Sequence, residues 1–183
     1  MIPVTLTTAR LQLDAVTRGD TDAVFEYCND TALQGYVPVP VPYTRHAAAS
    51  YTEGYVPKAP WLWAIRLIDD PALLGVIELK PGELRSAELG YWLGHPHRGN
   101  GIMTEAAAAV IDFGFSRAGA ALVHIGWSAI VGNIGSATVA QKIGMRYEGM
   151  RRQGLPHRDH RRDAWVASIL STDDRAPQPG WPL

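Results

Sequence analysis

The chain holds a single cysteine, Cys28, among 183 residues. A lone thiol excludes an internal disulfide framework and suits a reducing compartment. An excess of either charge is missing too: 17 Lys and Arg stand against 18 Asp and Glu, for a net charge of −1. Nothing in that balance points to nucleic acid or an anionic membrane surface as a partner. No apolar run approaches the length of a bilayer span. The opening residues, MIPVTLTTARLQLDAV, lack the basic-then-apolar order of a secretion signal. The expectation is a cytoplasmic protein with neither a nucleic-acid nor a membrane partner. Internal repeats are also absent. The 46% hydrophobic fraction is that of an ordinary globular protein, long enough for one core. One domain over 1–170 is expected, followed by a Pro-rich tail over 171–183, STDDRAPQPGWPL, expected to fray.

Alternation in RLQLDAV (10–16) predicts a half-buried strand. Asp20 and Thr21 offer a cap to a short helix carrying Ala23, Val24 and Tyr27 on one side. GYVPVPVPYT (35–44) cannot be regular structure, because prolines at every second position remove backbone donors. Thr44 caps a helix through RHAAASYTEGY, and a VPKAP link follows. WLWAIRLID, LLGVIEL and AELGYWL then read as strands of an antiparallel meander, divided by turns at Asp69-Asp70-Pro71 and Lys80-Pro81-Gly82. Beyond a glycine-rich loop, AAAAVIDFGF reads as a helix and LVHIGWSAIV as a strand with Val123, Ile125, Trp127 and Ala129 on one face. NIGSATVAQKIGM is a helix stopped by Gly144, and RYEGMRRQG and DAWVASIL close the sheet. The class is mixed α/β (α+β).

The loop HRGNGIM joins a strand to a helix, where glycines either turn a corner or let backbone N–H groups approach a phosphate. A P-loop is excluded: Gly94 and Gly99 have its spacing, but Asn100 and Gly101 stand where lysine and a hydroxyl are needed. A dinucleotide fingerprint fails at its third glycine, where Thr104 stands.

PHRGNGIMTEA resembles the pyrophosphate loop of the GNAT acyltransferases from Arg98 onward, with Pro96 where that family has arginine or glutamine. AELGYWLGHPHRGNGIMTEA and NIGSATVAQKIGMRYEG together resemble the RimJ/RimL-like subgroup, which acetylates ribosomal-protein N-termini, and its small-amine relatives. Met145 replaces the usual phenylalanine. With TTARLQLDAV as the first strand, the resemblance covers roughly residues 5 to 170.

The resemblance implies a mostly antiparallel mixed sheet, helices on both faces, splayed at a cleft that takes acetyl-CoA as co-substrate. Backbone donors at Gly99, Asn100, Gly101, Ile102, Met103 and Thr104 would ring the pyrophosphate, with Arg98 as a mobile charge. Trp92 and Leu93 would offer unpaired backbone to the pantetheine arm, and Asn133 its side chain, which can also cap the helix. Many members carry a leaving-group tyrosine one turn past Ser136; Ala140 stands there, so Ser136 is the candidate for hydrogen bonding to sulfur. Glu88 takes the position of the catalytic base, with Glu78 in reserve and a plain strand-edge charge as the alternative. Tyr36, Tyr51, Tyr55, Trp61 and Trp63 fall where an acceptor groove is built, although core residues would look the same. HRDHRRD (157–163) reads as a solvated turn before a basic lip. His95, His97 and His124 supply no third ligand, so no metal is expected. Cys28 is remote from the motifs, so no acyl-enzyme is expected either. The implied activity is acetyl transfer to a primary amine, a peptide N-terminus or a small molecule, by direct attack in a ternary complex. A non-catalytic acyl-CoA sensor and a purely structural module are the rivals. Another acyl donor and a homodimer stay open.

Overall fold

The computed structural model describes residues 3–183. A short hairpin, β1 (Leu6–Thr7) and β2 (Leu11–Asp14), leads into three small helices: α1 (Thr21–Cys28), α2 (Thr31–Gln34) and α3 (Arg45–Ala49). The meander follows as β3 (Leu62–Leu67), β4 (Asp70–Pro81) and β5 (Ser86–Leu93). Then come α4 (Ile102–Phe115), β6 (His124–Ile130), α5 (Ile134–Lys142), and the long hairpin β7 (Arg146–His157) and β8 (His160–Leu170). The strands form one eight-stranded sheet in the order β1-β2-β3-β4-β5-β6-β8-β7. Among the described residues only β5 and β6 run parallel. The sheet is mixed, mostly antiparallel and open, as the resemblance implies.

Helices cover both faces, and this explains the unbroken apolar run of β3. Trp63 and Ile65 pack with α4 and α5 residues on one side; Leu62 and Ala64 pack with Val24, Cys28 and Ala48 of α1 and α3 on the other. A strand buried on both faces loses the alternation of a half-buried one. On α4, Ile102, Met103, Ala106, Ala107, Val110, Ile111 and Gly114 are buried. The alanines let the helix sit close to the sheet, and at Gly114 a Cβ would lie 2.9 Å from Ile125 Cδ1.

Local signals fail where the chain has a better use for them. Asp20 does not cap α1; its carboxylate closes a capping box with Thr17 one turn earlier and accepts two bonds from Arg66 at 2.9 Å. The helix expected after Thr44 does start there, its hydroxyl accepting from Ala47 N, but residues Ser50–Tyr55 widen into a π turn. Strand β4 runs through Lys80 and Pro81, so the turn falls later. Trp61 and Trp63 are not groove residues: both stand edge-on to Phe113 of α4. The 157–163 segment is the tip of the β7–β8 hairpin, and it does not stand free. His157 is buried, and Arg158 donates to the Gln34 carbonyl at 2.7 Å.

The tail does not fray. Trp181 is buried against Trp127 and Tyr147, and its indole N–H donates to the Met145 carbonyl at 3.3 Å.

Candidate active site

Strands β5 and β6 pair at only three positions: Ser86 with His124, Ala87 with Ile125 and Glu88 with Gly126. Beyond them β5 stays in register with β4 as far as Leu93, while β6 stays with β8. The two strands therefore part, and a cleft of about 450 Å³ opens between them.

The register also decides which backbone groups face that gap. Gly82 N donates to Ser86 O and Gly94 N to Leu74 O, so the even-numbered residues of β5 bond to β4. Of the odd ones, Tyr91 and Leu93 lie beyond the last β5–β6 pair and turn toward the opening, where the Leu93 carbonyl accepts from Arg98 Nε at 2.9 Å. This corrects the expectation for Trp92: its backbone belongs to β4, and it lines the cleft alongside Leu93. Unpaired backbone of this kind needs a partner, and an amide-bearing chain laid along β5 supplies one.

The wall across from α5 is the glycine loop. Gly99 (φ 80°) and Gly101 (φ 74°) sit in the left-handed region, which a side chain occupies only with strain. Gly101 is the N-cap of α4, and among the described residues no side chain caps that helix. The first N–H groups of α4, at Ile102, Met103 and Thr104, thus start without a side-chain partner beside the cleft, which all three residues line. Asn100 departs from the expected ring: it is exposed and outside the cleft wall, and its side chain donates to the Arg98 carbonyl. Arg98 lines the cleft, and its guanidinium is engaged on two sides. Its Nε donates to the Leu93 carbonyl at 2.9 Å and its Nη2 pairs with Asp30 at 2.7 Å.

On the other wall Asn133 caps α5, accepting from Ser136 N at 3.3 Å, and still lines the cleft. Ser136 lies one turn on. Its hydroxyl accepts from the Trp127 indole at 3.3 Å and donates to the Tyr91 phenol at 3.1 Å. Tyr91 in turn donates to the Ser136 carbonyl at 2.9 Å. Sequence reasoning missed Tyr91; the signal was its place on the odd face of β5, level with the splay.

The carboxylates lie on the opposite face of the sheet, neither in the cleft wall. Glu88 is exposed at the last β5–β6 pair and accepts from Ser128 at 2.6 Å. Glu78, opposite Gly90 on β4, is half-buried and accepts from the Tyr55 phenol at 2.8 and 2.9 Å. Burial pushes the Glu78 carboxyl above the usual carboxylate range, against the opposing pull of Tyr55 and Lys80. Tyr55 stacks on Tyr51 at 5.6 Å, so two of the expected acceptor aromatics do gather beside Glu78. Tyr36 reaches across to the loop before α5, donating to the Gly132 carbonyl at 3.0 Å. Of the three histidines set aside as metal ligands, His97 bonds the Tyr27 phenol at 3.0 Å.

Comparison with known proteins follows this geometry. The family model "Acetyltransferase (GNAT) domain" matches residues 10–146. A Bacillus subtilis protein named Probable N-acetyltransferase YjcK is 31% identical over 133 residues, covering 71% of this chain and 72% of its own. A crystal structure of a GNAT-family acetyltransferase from Bacillus anthracis superposes with a TM-score of 0.84 at 26% identity, covering 93% of this chain and 100% of that one. The fold is shared as well by a RimL ribosomal alpha-N-protein acetyltransferase in complex with coenzyme A, with a TM-score of 0.77 at 19% identity over 91% and 98% of the two chains.

Proposed function

The chain belongs to the GNAT acetyltransferase family and is an N-acetyltransferase; we propose that it takes acetyl-CoA into the β5–β6 cleft and transfers the acetyl group to a primary amine by direct attack. One observation carries this reading: a parallel strand pair that stops after three residues beside a helix start with no side-chain cap. The gap suits the amide-bearing arm, and the loop over residues 98–104 suits the pyrophosphate.

In the proposed step the neutral amine attacks the thioester carbonyl carbon, the C–S bond breaks, and the CoA thiolate leaves. The amine proton goes to Glu88, directly or through water, while the Ser136 hydroxyl hydrogen-bonds the departing sulfur. Glu78 competes for the first role, because its half-buried carboxyl beside Tyr55 has the raised proton affinity that a base working near neutrality needs.

For the acceptor we favour a peptide or protein α-amine. The coenzyme A-bound neighbour is named an alpha-N-protein acetyltransferase, which supports that class. Proton chemistry agrees: at pH 7 an α-amine of pKa near 8 is roughly a tenth neutral, whereas a lysine amine is neutral in less than about one part in a thousand. The experiment is CoA-thiol release from acetyl-CoA, with peptide N-termini and small amines compared as acceptors. Turnover with an N-terminal peptide supports the reading. Release only with small amines shifts the acceptor class, and no release with any amine overturns the mechanism.

A further inference from the structure

We propose that Arg10, in the turn between β1 and β2, is a positioning residue for the glycine loop: it turns the Asn100–Gly101 peptide so that the Gly101 N–H faces the cleft, and it cancels the charge of Glu105. The proposal deepens the reading of that loop as a pyrophosphate cradle and rests on it.

The first half follows from one contact and the planarity of the peptide bond. Arg10 Nη1 donates to the Asn100 carbonyl at 3.2 Å. In a trans peptide the carbonyl and the next N–H point in opposite directions. With the Asn100 oxygen held outward on Arg10, the Gly101 N–H is turned the other way, and Gly101 lines the cleft while Asn100 does not. That peptide joins Asn100 to Gly101, and on the Gly101 side the missing Cβ leaves little to resist its rotation. An outside clamp is what fixes it.

The second half concerns a carboxylate in an awkward place. Glu105 stands in the first turn of α4, the end of the helix where a phosphate would sit. An uncompensated anion there would repel the ligand. Its two oxygens are fully engaged by the β1–β2 turn. Oε1 accepts from Thr8 Oγ1 at 2.6 Å and Arg10 N at 3.0 Å, and Oε2 lies 2.7 Å from both Arg10 Nε and Nη2. Although partial burial pushes the Glu105 carboxyl up, these bonds hold it below the usual range, so it stays an anion. The guanidinium neutralises it in place. Arg10 thus spans a carboxylate and a carbonyl at once, which suits a planar fork and not a point charge.

A residue that merely clipped the β1–β2 hairpin to α4 would show the same contacts, so the test separates the two roles. S-acetyl-pantetheine carries the thioester and the arm without the pyrophosphate. The kcat/KM for acetyl-CoA and for acetyl-pantetheine is measured with one peptide acceptor in the wild type, Arg10→Ala and Arg10→Lys. The ratio of the two values should fall about tenfold or more in Arg10→Ala, the scale of one lost hydrogen bond to a charged group. The fall should come through the KM for acetyl-CoA. Arg10→Lys should keep part of the ratio, since its ammonium still neutralises Glu105. Both donors are read on the same preparation, so any unfolded fraction cancels. If Arg10→Ala does not accumulate, the ratio in Arg10→Lys decides in its place. A variant with an unchanged ratio, both values lowered together, makes Arg10 a brace of the fold and overturns the proposal. A wild type with no preference for acetyl-CoA overturns the cradle itself, and that result is visible before any variant is made.

Discussion

Ser136 and Tyr91 are tied by two hydrogen bonds: the serine hydroxyl donates to the phenol at 3.1 Å, and the phenol donates to the serine carbonyl at 2.9 Å. The one proton on Ser136 is therefore aimed at Tyr91, and serving a thiolate requires the hydroxyl to swing into the cleft. Burial holds the Tyr91 phenol well above the ordinary tyrosine range, so it stays neutral and acts as a tether, not a base. Ser136→Ala is expected to lower kcat on the order of a hundredfold with little change in the KM for acetyl-CoA, because the bond strengthens only as charge gathers on sulfur. Tyr91→Phe should cost less, and combining it with Ser136→Ala should add little, since the tether has nothing left to hold. Steady-state kinetics of the three variants check this. A change confined to KM would leave Ser136 as a wall residue.

The two carboxylates are separable by pH. A base must be deprotonated to work, so activity that depends on Glu78 rises with pH through its elevated pKa. The Tyr55 bond lowers that pKa by stabilising the carboxylate. Tyr55→Phe removes the bond, the pKa climbs further, and the acid limb of kcat/KM should move to higher pH if Glu78 is the base. If Glu88 is the base the limb stays where it is, and Glu88→Gln instead lowers kcat roughly a hundredfold near neutrality. That variant should recover in part as pH rises toward the amine's own pKa. Profiles from pH 6 to 9 on wild type and both variants decide between them.

Gly101→Val should abolish acetyl-CoA binding through the backbone. A Cβ at Gly101 would not fill the cradle; it would meet Arg10 Nη2 at 3.6 Å, an ordinary contact. The damage lies in the φ of 74°, which a β-branched residue resists. For the wild type, ligand at about a hundred times its Kd stabilises by roughly 2.7 kcal/mol, a melting shift of about 5–10 °C for a domain of this size. A thermal-shift titration should show that shift in the wild type and none in Gly101→Val. A retained shift would mean that the loop tolerates a different path around the ligand.

The strands and helices that build the cleft were legible because each has its own local cause. Gly99 and Gly101 mark a loop that must bend left-handed, Asn133 marks a helix start, and the β4–β5 register follows from two apolar runs joined by a turn. What escaped notice was non-local. Arg10 meets Glu105 and Asn100 across sequence separations of 95 and 90, where no local pattern links them. Helix α2 has four residues, too few for any periodicity, and only the Asp30 cap foreshadows it. Trp61 and Trp63 were ambiguous at the start of a strand buried on both faces, Trp61 just before it and Trp63 within it, since composition does not say which side receives an aromatic ring. Glu78 and Glu88 lie on one face of adjacent strands, so alternation could not rank them.

The tail misled for the opposite reason, because proline-rich polar sequence usually marks loose chain. Here Trp181 is 9% exposed, with its ring 5.6 Å from Trp127 and 5.5 Å from Tyr147. Trp127 is also the indole that donates to the Ser136 hydroxyl. Packing at the C-terminus thus stands one ring away from the candidate catalytic serine. Trp181→Ala should destabilise the fold by about 3–5 kcal/mol, the usual cost of emptying a buried aromatic site. Trp181→Phe keeps most of the ring and should cost much less, losing mainly the bond to the Met145 carbonyl. At a temperature where both variants are fully folded, Trp181→Ala should lower kcat more than the KM for acetyl-CoA, because a loosened Trp127 no longer steadies Ser136. Trp181→Phe should hold kcat near wild type. Chemical denaturation gives the stability term, and kinetics on the same samples gives the second. An unchanged kcat in a destabilised Trp181→Ala would confine the tail to holding the fold together.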